Sequence, residues 1–192
     1  SFNGNTADIT LTSAVVQGES LAGAQLGLGD VMYDFTVTTP DGVDVTLSEE
    51  LKTKECVVLN FWYNGCSACE YEFPYMQQAY EQYSDKVGII AVNPFEEDAA
   101  IASFQAQHGL TFPMAKCPSS WSATFNISGY PTSIIVDRYG VISLIEAGGV
   151  TSIRPFINLF EHFSADNYEQ KLIEAIGDLR VEEPIGTKDN PI

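Results

Sequence analysis

The chain has 192 residues, with 9 Lys+Arg against 26 Asp+Glu, a formal charge of −17. Its apolar fraction of 45%, with 11 Phe, 9 Tyr and 2 Trp, can fill a core. That excludes disorder for most of the length and fits one domain with appendages. So acidic a chain lacks the clustered Lys and Arg that nucleic-acid phosphates or anionic lipid require, and no apolar run approaches the ~18 residues of a membrane span.

The first 51 residues carry eight acids and no Lys or Arg, which reads as a solvated acidic face or arm. The chain opens on Ser1 without an initiator Met, so any targeting segment is expected upstream of it. Residues 1–29, rich in Gly, Ser, Thr and Ala, read as a flexible tether. Asp34–Thr39 and Val43–Leu47 both alternate around the turn signal Pro40-Asp41-Gly42, which is a β-hairpin. Ser48-Glu49-Glu50 starts a short helix. The apolar run Cys56–Trp62 is a strand buried on both faces.

Beyond it, Cys69, Phe73, Met76, Tyr80 and Tyr83 mark one face of a helix, with Pro74 expected to kink it. Val87–Val92 is a second buried strand. A helix from Ala99 to His108 ends on Gly109 as its cap. Phe112–Ala115 is a short strand, and Ser119 or Ser120 can cap a helix holding Trp121 and Phe125. Ser133–Val136 and Val141–Ile145 form a second hairpin about the turn at Asp137–Gly140. Helices are expected over about 152–163 and 166–179, then a frayed tail over 181–192. This order predicts an α/β fold with a mixed sheet, antiparallel at one end, and a single domain over residues 30–180.

Of the four cysteines, Cys56, Cys66, Cys69 and Cys117, only Cys66-Ser67-Ala68-Cys69 forms a C-x-x-C. Structural zinc needs a second such pair or paired histidines, and His108 and His162 are solitary. No metal and no cofactor are therefore expected. A dithiol that opens a helix directly after a buried strand has a different use. Cys66 lies among the free N–H groups at the positive end of the helix dipole, which stabilise its thiolate. Cys69, one turn on and on the apolar face, can attack only a mixed disulfide already held by Cys66. Cys56 reads as a small buried apolar residue. Cys117, after a strand, reads either as an inert core thiol or as a third redox thiol.

The landmarks Asn60-Phe61-Trp62, Cys66-Ser67-Ala68-Cys69-Glu70-Tyr71-Glu72-Phe73-Pro74, Ala91-Val92-Asn93, Gly129-Tyr130-Pro131-Thr132 and Ile135-Val136-Asp137 stand in an order that resembles the TlpA/ResA-like branch of the thioredoxin-fold proteins, within the wider AhpC/TSA-like redoxins. The likeness covers about residues 30–149. It implies a thioredoxin-like fold: a central mixed sheet flanked by helices, with an N-terminal hairpin, an inserted αβ element and C-terminal helices.

The resemblance also implies a monomeric extracytoplasmic bacterial oxidoreductase, membrane-tethered or a lipoprotein, that reduces protein disulfides in cytochrome c maturation or a related pathway. Apocytochrome c or an oxidised methionine sulfoxide reductase would be substrates, and a membrane thiol protein the electron donor. Matched residue by residue, Cys66 attacks, Cys69 resolves and Glu72 handles the proton. Asn60 stands where cytoplasmic thioredoxins carry a buried aspartate. Pro131 is the expected cis-proline, with Tyr130, Gly129 and Trp62 contacting substrate. Gly65, Ser67-Ala68 and Glu70 depart from the common pattern, which bears on substrate choice and redox potential. Two alternatives remain: a peptide-binding or chaperone-like module without redox turnover, and a thiol peroxidase. The residues before Cys66 lack the peroxidase's Pro-x-x-x-Thr-x-x-Cys loop.

Overall fold

The computed structural model describes residue 21, residues 23–168 and residues 170–171. In chain order its elements are β1 (Thr36–Thr38), β2 (Asp44–Thr46), α1 (Leu47–Glu50), β3 (Cys56–Phe61), α2 (Ser67–Tyr83), β4 (Val87–Asn93), α3 (Asp98–His108), β5 (Met114–Lys116), α4 (Ser120–Thr124), β6 (Thr132–Asp137), β7 (Ile142–Ala147) and α5 (Arg154–Phe163). Five strands form one sheet in the order β5-β4-β3-β6-β7. β3, β4 and β5 run parallel, while β6 and β7 are antiparallel to their neighbours. β1 and β2 make a separate hairpin. This is the mixed α/β sheet with an antiparallel end that the element order predicts.

β3 lies at the centre and is buried throughout, because layers cover both of its faces. Side chains alternate along a strand, so β3 serves two layers at once. Cys56 and Val58 point into the layer of α2, α3 and α5, with Phe73, Met76, Ile101, Phe104 and Phe160. Val57, Leu59 and Phe61 point into the opposite layer, with Val37, Val45, Trp121 and Phe125. Each such large side chain withdrawn from water contributes about 1.5–3 kcal/mol. Trp62, just past the strand, falls in the first layer by the same parity.

Helix α2 runs unbroken through Pro74. α3 ends on Gly109 at φ +62, the left-handed cap that the sequence implies. At α4, Ser119 occupies the cap position without a side-chain cap bond.

The stretch expected as tether does not stand free over its described residues. Leu21 is buried, and its carbonyl accepts from Thr124 Oγ1 at 2.7 Å. The Leu26 N–H donates to the Thr124 carbonyl, and the Gly29 N–H donates to that of Ile142. Leu21 and Leu26 face the layer of Trp121 and Phe125, while Leu28 stays exposed, and the burial of the first two outweighs the flexibility of the glycines around them. The expected helix beyond residue 171 and the tail at 181–192 lie outside the described residues. Among the described residues, no helix is long and apolar enough to cross a membrane.

Candidate active site

The parallel strands β3 and β4 and the start of β6 meet at one end of the sheet, where three loops converge. The first leaves β3 and turns at Gly65, whose φ of +85 lies in the left-handed region that glycine tolerates best. That turn delivers Cys66 as the N-cap of α2. The Cys66 sulfur accepts the Cys69 backbone N–H at 3.2 Å. Its carbonyl accepts the N–H of Glu70 at 3.0 Å. The sulfur therefore sits where the helix dipole favours negative charge. Cys66 and Cys69 are joined as a disulfide with Cα atoms 5.3 Å apart. Cys66 is 4% exposed and Cys69 fully enclosed.

Glu72 follows Cys69 at the i+3 position, so it shares the inward face of α2 with Cys69, Phe73 and Met76. It meets β3 at Asn60, which by parity points to the same layer. Asn60 Nδ2 donates to Glu72 Oε1 at 3.0 Å and to Ser133 Oγ at 2.9 Å. The β3–β6 register sets Ser133 directly opposite Asn60. From the loop after β7, the Val150 N–H donates to Glu72 Oε2 at 3.0 Å. Burial pushes the Glu72 carboxyl up to about 7, against the opposing pull of the Val150 and Asn60 donors. Asn60 only donates here and cannot itself take up a proton, so Glu72 is the one ionisable member of this group.

Glu72 also lines a cleft of about 400 Å³ that runs between β7 and the start of α5, past Ser133, Glu146 and Phe156. Gly149, on its wall, lies so close to α2 that a Cβ there would stand 2.8 Å from the Ala68 carbonyl oxygen.

The third loop carries Gly129, Tyr130 and Pro131. The Tyr130–Pro131 peptide bond is cis. Gly129 and Tyr130 are half-buried and Pro131 is buried. Thr132 Oγ1 donates to the Gly129 carbonyl at 2.8 Å and closes the loop.

Trp62 corrects an expectation. It has no exposed surface with which to meet a substrate. Its ring lies 4.5 Å from Phe104 and 5.5 Å from Phe73 between centroids, inside the helix layer. The β3 alternation that carries Val58 inward carries Trp62 inward too, leaving Nε1 unpartnered among the described residues.

The other two cysteines take no part in the disulfide. Cys56 begins β3, at the opposite end of that strand, and Cys117 follows β5 in the opposite layer. Both are free, and burial pushes both thiols up to about 12. Sequence reasoning did not find the Ser133, Val150 and Gly149 contacts. Nor did it single out Phe95, which stands exposed beside Tyr63 and Tyr130. Among the described residues, no three His, Cys, Asp or Glu side chains group as metal ligands.

Comparison with known proteins agrees with this geometry. The AhpC/TSA family matches residues 28–145. The thioredoxin-like protein YneN of Bacillus subtilis is 34% identical over 126 residues, covering 64% of this chain and 73% of that protein. The thiol–disulfide oxidoreductase ResA of Bacillus thuringiensis is 37% identical over 120 residues, 62% of this chain and 68% of ResA. A crystal structure described as a thiol:disulfide interchange protein DsbE from Chlorobium tepidum superimposes with a TM-score of 0.60 at 29% identity, over 80% of this chain and all of that one. With the dithiol at the start of α2 and the sheet order above, the chain belongs to the AhpC/TSA family and is a thioredoxin-fold thiol–disulfide oxidoreductase of the TlpA/ResA-like kind.

Proposed function

We propose that this protein works as an extracytoplasmic reductant of protein disulfides, with Glu72 as the proton acceptor for Cys69. The observation that carries the reading is a buried carboxyl near neutrality, one turn beyond the enclosed cysteine, held by fixed donors. The Cys66 thiolate attacks one sulfur of the substrate disulfide. That S–S bond breaks, a mixed disulfide forms, and the departing substrate sulfur takes up a proton. Cys69 gives its proton to the Glu72 carboxylate and attacks the Cys66 sulfur. The second substrate thiol leaves, and Cys66 and Cys69 are left as a disulfide, two electrons having passed to the substrate. Glu72 then returns the proton to water through the cleft past Ser133 and Glu146.

The local charge supports the reducing direction. A strong oxidant stabilises its first thiolate with surrounding positive charge. Here no Lys or Arg occurs between Lys54 and Lys86, and Glu70 stands in the first turn of α2. Like charge raises a thiol pKa and offsets part of the dipole effect. The potential is therefore expected toward the thioredoxin end, ~−270 mV, rather than ~−120 mV.

A membrane thiol protein would restore the dithiol, and the tether or lipid anchor that the resemblance implies would precede the folded part. Apocytochrome c and oxidised methionine sulfoxide reductase are the substrates to try first. Equilibration in glutathione buffers, read by thiol alkylation, tests the direction of electron flow. A potential above about −180 mV would make the protein an oxidant.

A further inference from the structure

The rings of Tyr63, Phe95 and Tyr130 come from three different loops and pack against one another edge-on. Tyr63 and Tyr130 are 5.4 Å apart between centroids, Phe95 and Tyr130 5.6 Å, and Tyr63 and Phe95 6.0 Å. All three loops lie at the dithiol end. The Tyr63 carbonyl accepts the Cys66 N–H at 3.2 Å, and Tyr130 precedes Pro131.

The arrangement is held in place by polar contacts. Asn93 Oδ1 accepts the N–H groups of both Phe95 and Glu96, which fixes the Phe95 turn. Glu96 Oε2 in turn accepts the Asn64 N–H, tying that turn to the loop that carries Cys66. Tyr130 Oη bonds Ser122 Oγ at 3.1 Å. Two of the rings are half-buried, but Phe95 remains 57% exposed. A phenylalanine held in a fixed position and left in water gains little from its own fold, and its apolar surface is available to a partner.

The charge around the rings is one-sided. Residues 62–70, 93–98 and 129–131 hold Glu70, Glu96, Glu97 and Asp98 with no Lys or Arg. Lys116, from the end of β5, is bonded to Glu97.

We propose that Tyr63, Phe95 and Tyr130 form a platform that selects polypeptide disulfides whose cysteine is flanked by an aromatic or large aliphatic side chain and a basic one. The occupant follows from the reaction, since a substrate must bring its sulfur to Cys66 and its neighbouring residues must then pass over these loops. The apolar flank packs on the Phe95 ring and the basic flank meets the acidic rim. The proposal rests on the oxidoreductase reading and adds a substrate class to it.

The test uses the pre-reduced protein in single turnovers, quenched by alkylation. Two synthetic disulfide-linked peptides are compared, one with Phe and Lys beside the cysteine and one with Ala and Glu. Each rate constant is divided by that of the same protein on bis(2-hydroxyethyl) disulfide, which cancels any disturbance of the dithiol itself. Wild type is expected to prefer the Phe/Lys peptide by about tenfold, the scale of one aromatic contact plus one charge pair. Phe95→Ala should reduce the preference to within about twofold, Phe95→Tyr should keep it, and 0.5 M salt should remove only the part due to Lys.

Equal rates on both peptides in wild type, or an undiminished preference in Phe95→Ala, would overturn the platform while leaving the oxidoreductase intact. Failure of wild type to reduce even the small disulfide would remove the underlying reading and the platform together.

Discussion

The two pairs of cysteines in this chain are all buried, yet only one pair is placed for chemistry. Cys56 and Cys117 sit against apolar neighbours in the two layers, and desolvation holds their thiols near 12. For Cys56, Asp137 and Glu55 add to the same upward push. Cys66 is no more accessible than a core residue, but its sulfur faces the open N–H groups of a 17-residue helix. Burial alone therefore does not decide reactivity. What separates the pairs is which backbone dipoles point at the sulfur.

The largest effect that can break this comparison is loss of the nucleophile. Cys66→Ser is expected to abolish reduction of insulin or a model disulfide, whereas Cys56→Ala with Cys117→Ala should stay within about twofold of wild type. Turnover that survives in Cys66→Ser would assign the chemistry elsewhere.

Native alkylation of the reduced protein should follow the same division. A thiol near 12 carries on the order of one three-thousandth of the thiolate of one near the free value of ~8.5. Peptide mapping by mass should show Cys66 labelled first, with Cys56 and Cys117 unlabelled until the chain unfolds. Early modification of Cys117 would restore it as a third redox thiol.

Gly149→Ala sharpens the comparison from the supporting side. Its new methyl would stand 2.8 Å from the Ala68 carbonyl, so the 148–150 loop must retreat. The expected cost is about 1–3 kcal/mol in denaturant unfolding. Retreat also carries the Val150 N–H away from Glu72, which removes a donor that favours the carboxylate. The acid limb of the pH–rate profile should therefore move to higher pH, and an unchanged profile would show that the loop has no hold on Glu72.

The smallest expected effect is the stability change in a Glu72 variant. The folded Glu72 carboxyl is raised from 4.5 to about 7, so the folded chain binds the proton more tightly than the unfolded one. Below pH 4.5 both states hold that proton. As pH rises through 4.5 to 7 the unfolded state releases it first, and stability falls, by on the order of 3 kcal/mol from this group. Glu72→Gln should flatten that decline and leave the protein more stable at pH 8 by about 1 kcal/mol, since one of the two donors then faces an amide N–H₂. A steeper decline in the variant would show that Glu72 is not raised by burial in the folded chain.

Much of this molecule can be read from residue spacing. The hairpin, the buried strands and the dithiol at a helix start all follow from local alternation and apolar runs. The i+3 step from Cys69 to Glu72 also marks a shared face, although an isolated acid in a helix reads as readily as a solvated one. What spacing does not carry is register. Asn60 meets Ser133 because β3 pairs with β6 at that offset, across 73 positions of chain, and Val150 reaches Glu72 across 78. Trp62 misled for a related reason: an aromatic leaving a strand beside the dithiol reads equally as site wall or as core, and only the parity of the strand separates the two. Leu21 and Leu26 are masked by the glycines around them, though leucines recurring in such a stretch are a signal for docking. Phe95, after Pro94, reads as an ordinary loop residue until Tyr63 and Tyr130 are brought beside it.

The alternation of β3 also limits how this protein can change. Substitutions at Val57, Leu59 or Phe61 alter the packing of one layer and leave the carboxylate's surroundings untouched. A one-residue insertion or deletion ahead of Asn60 is another matter, because it turns every later side chain of the strand to the other layer. The amide that faces Glu72 would then be replaced by an aliphatic or aromatic neighbour, and the acid would keep only the Val150 N–H. Lineages of this protein are expected to vary in side-chain volume along β3 while its length stays fixed.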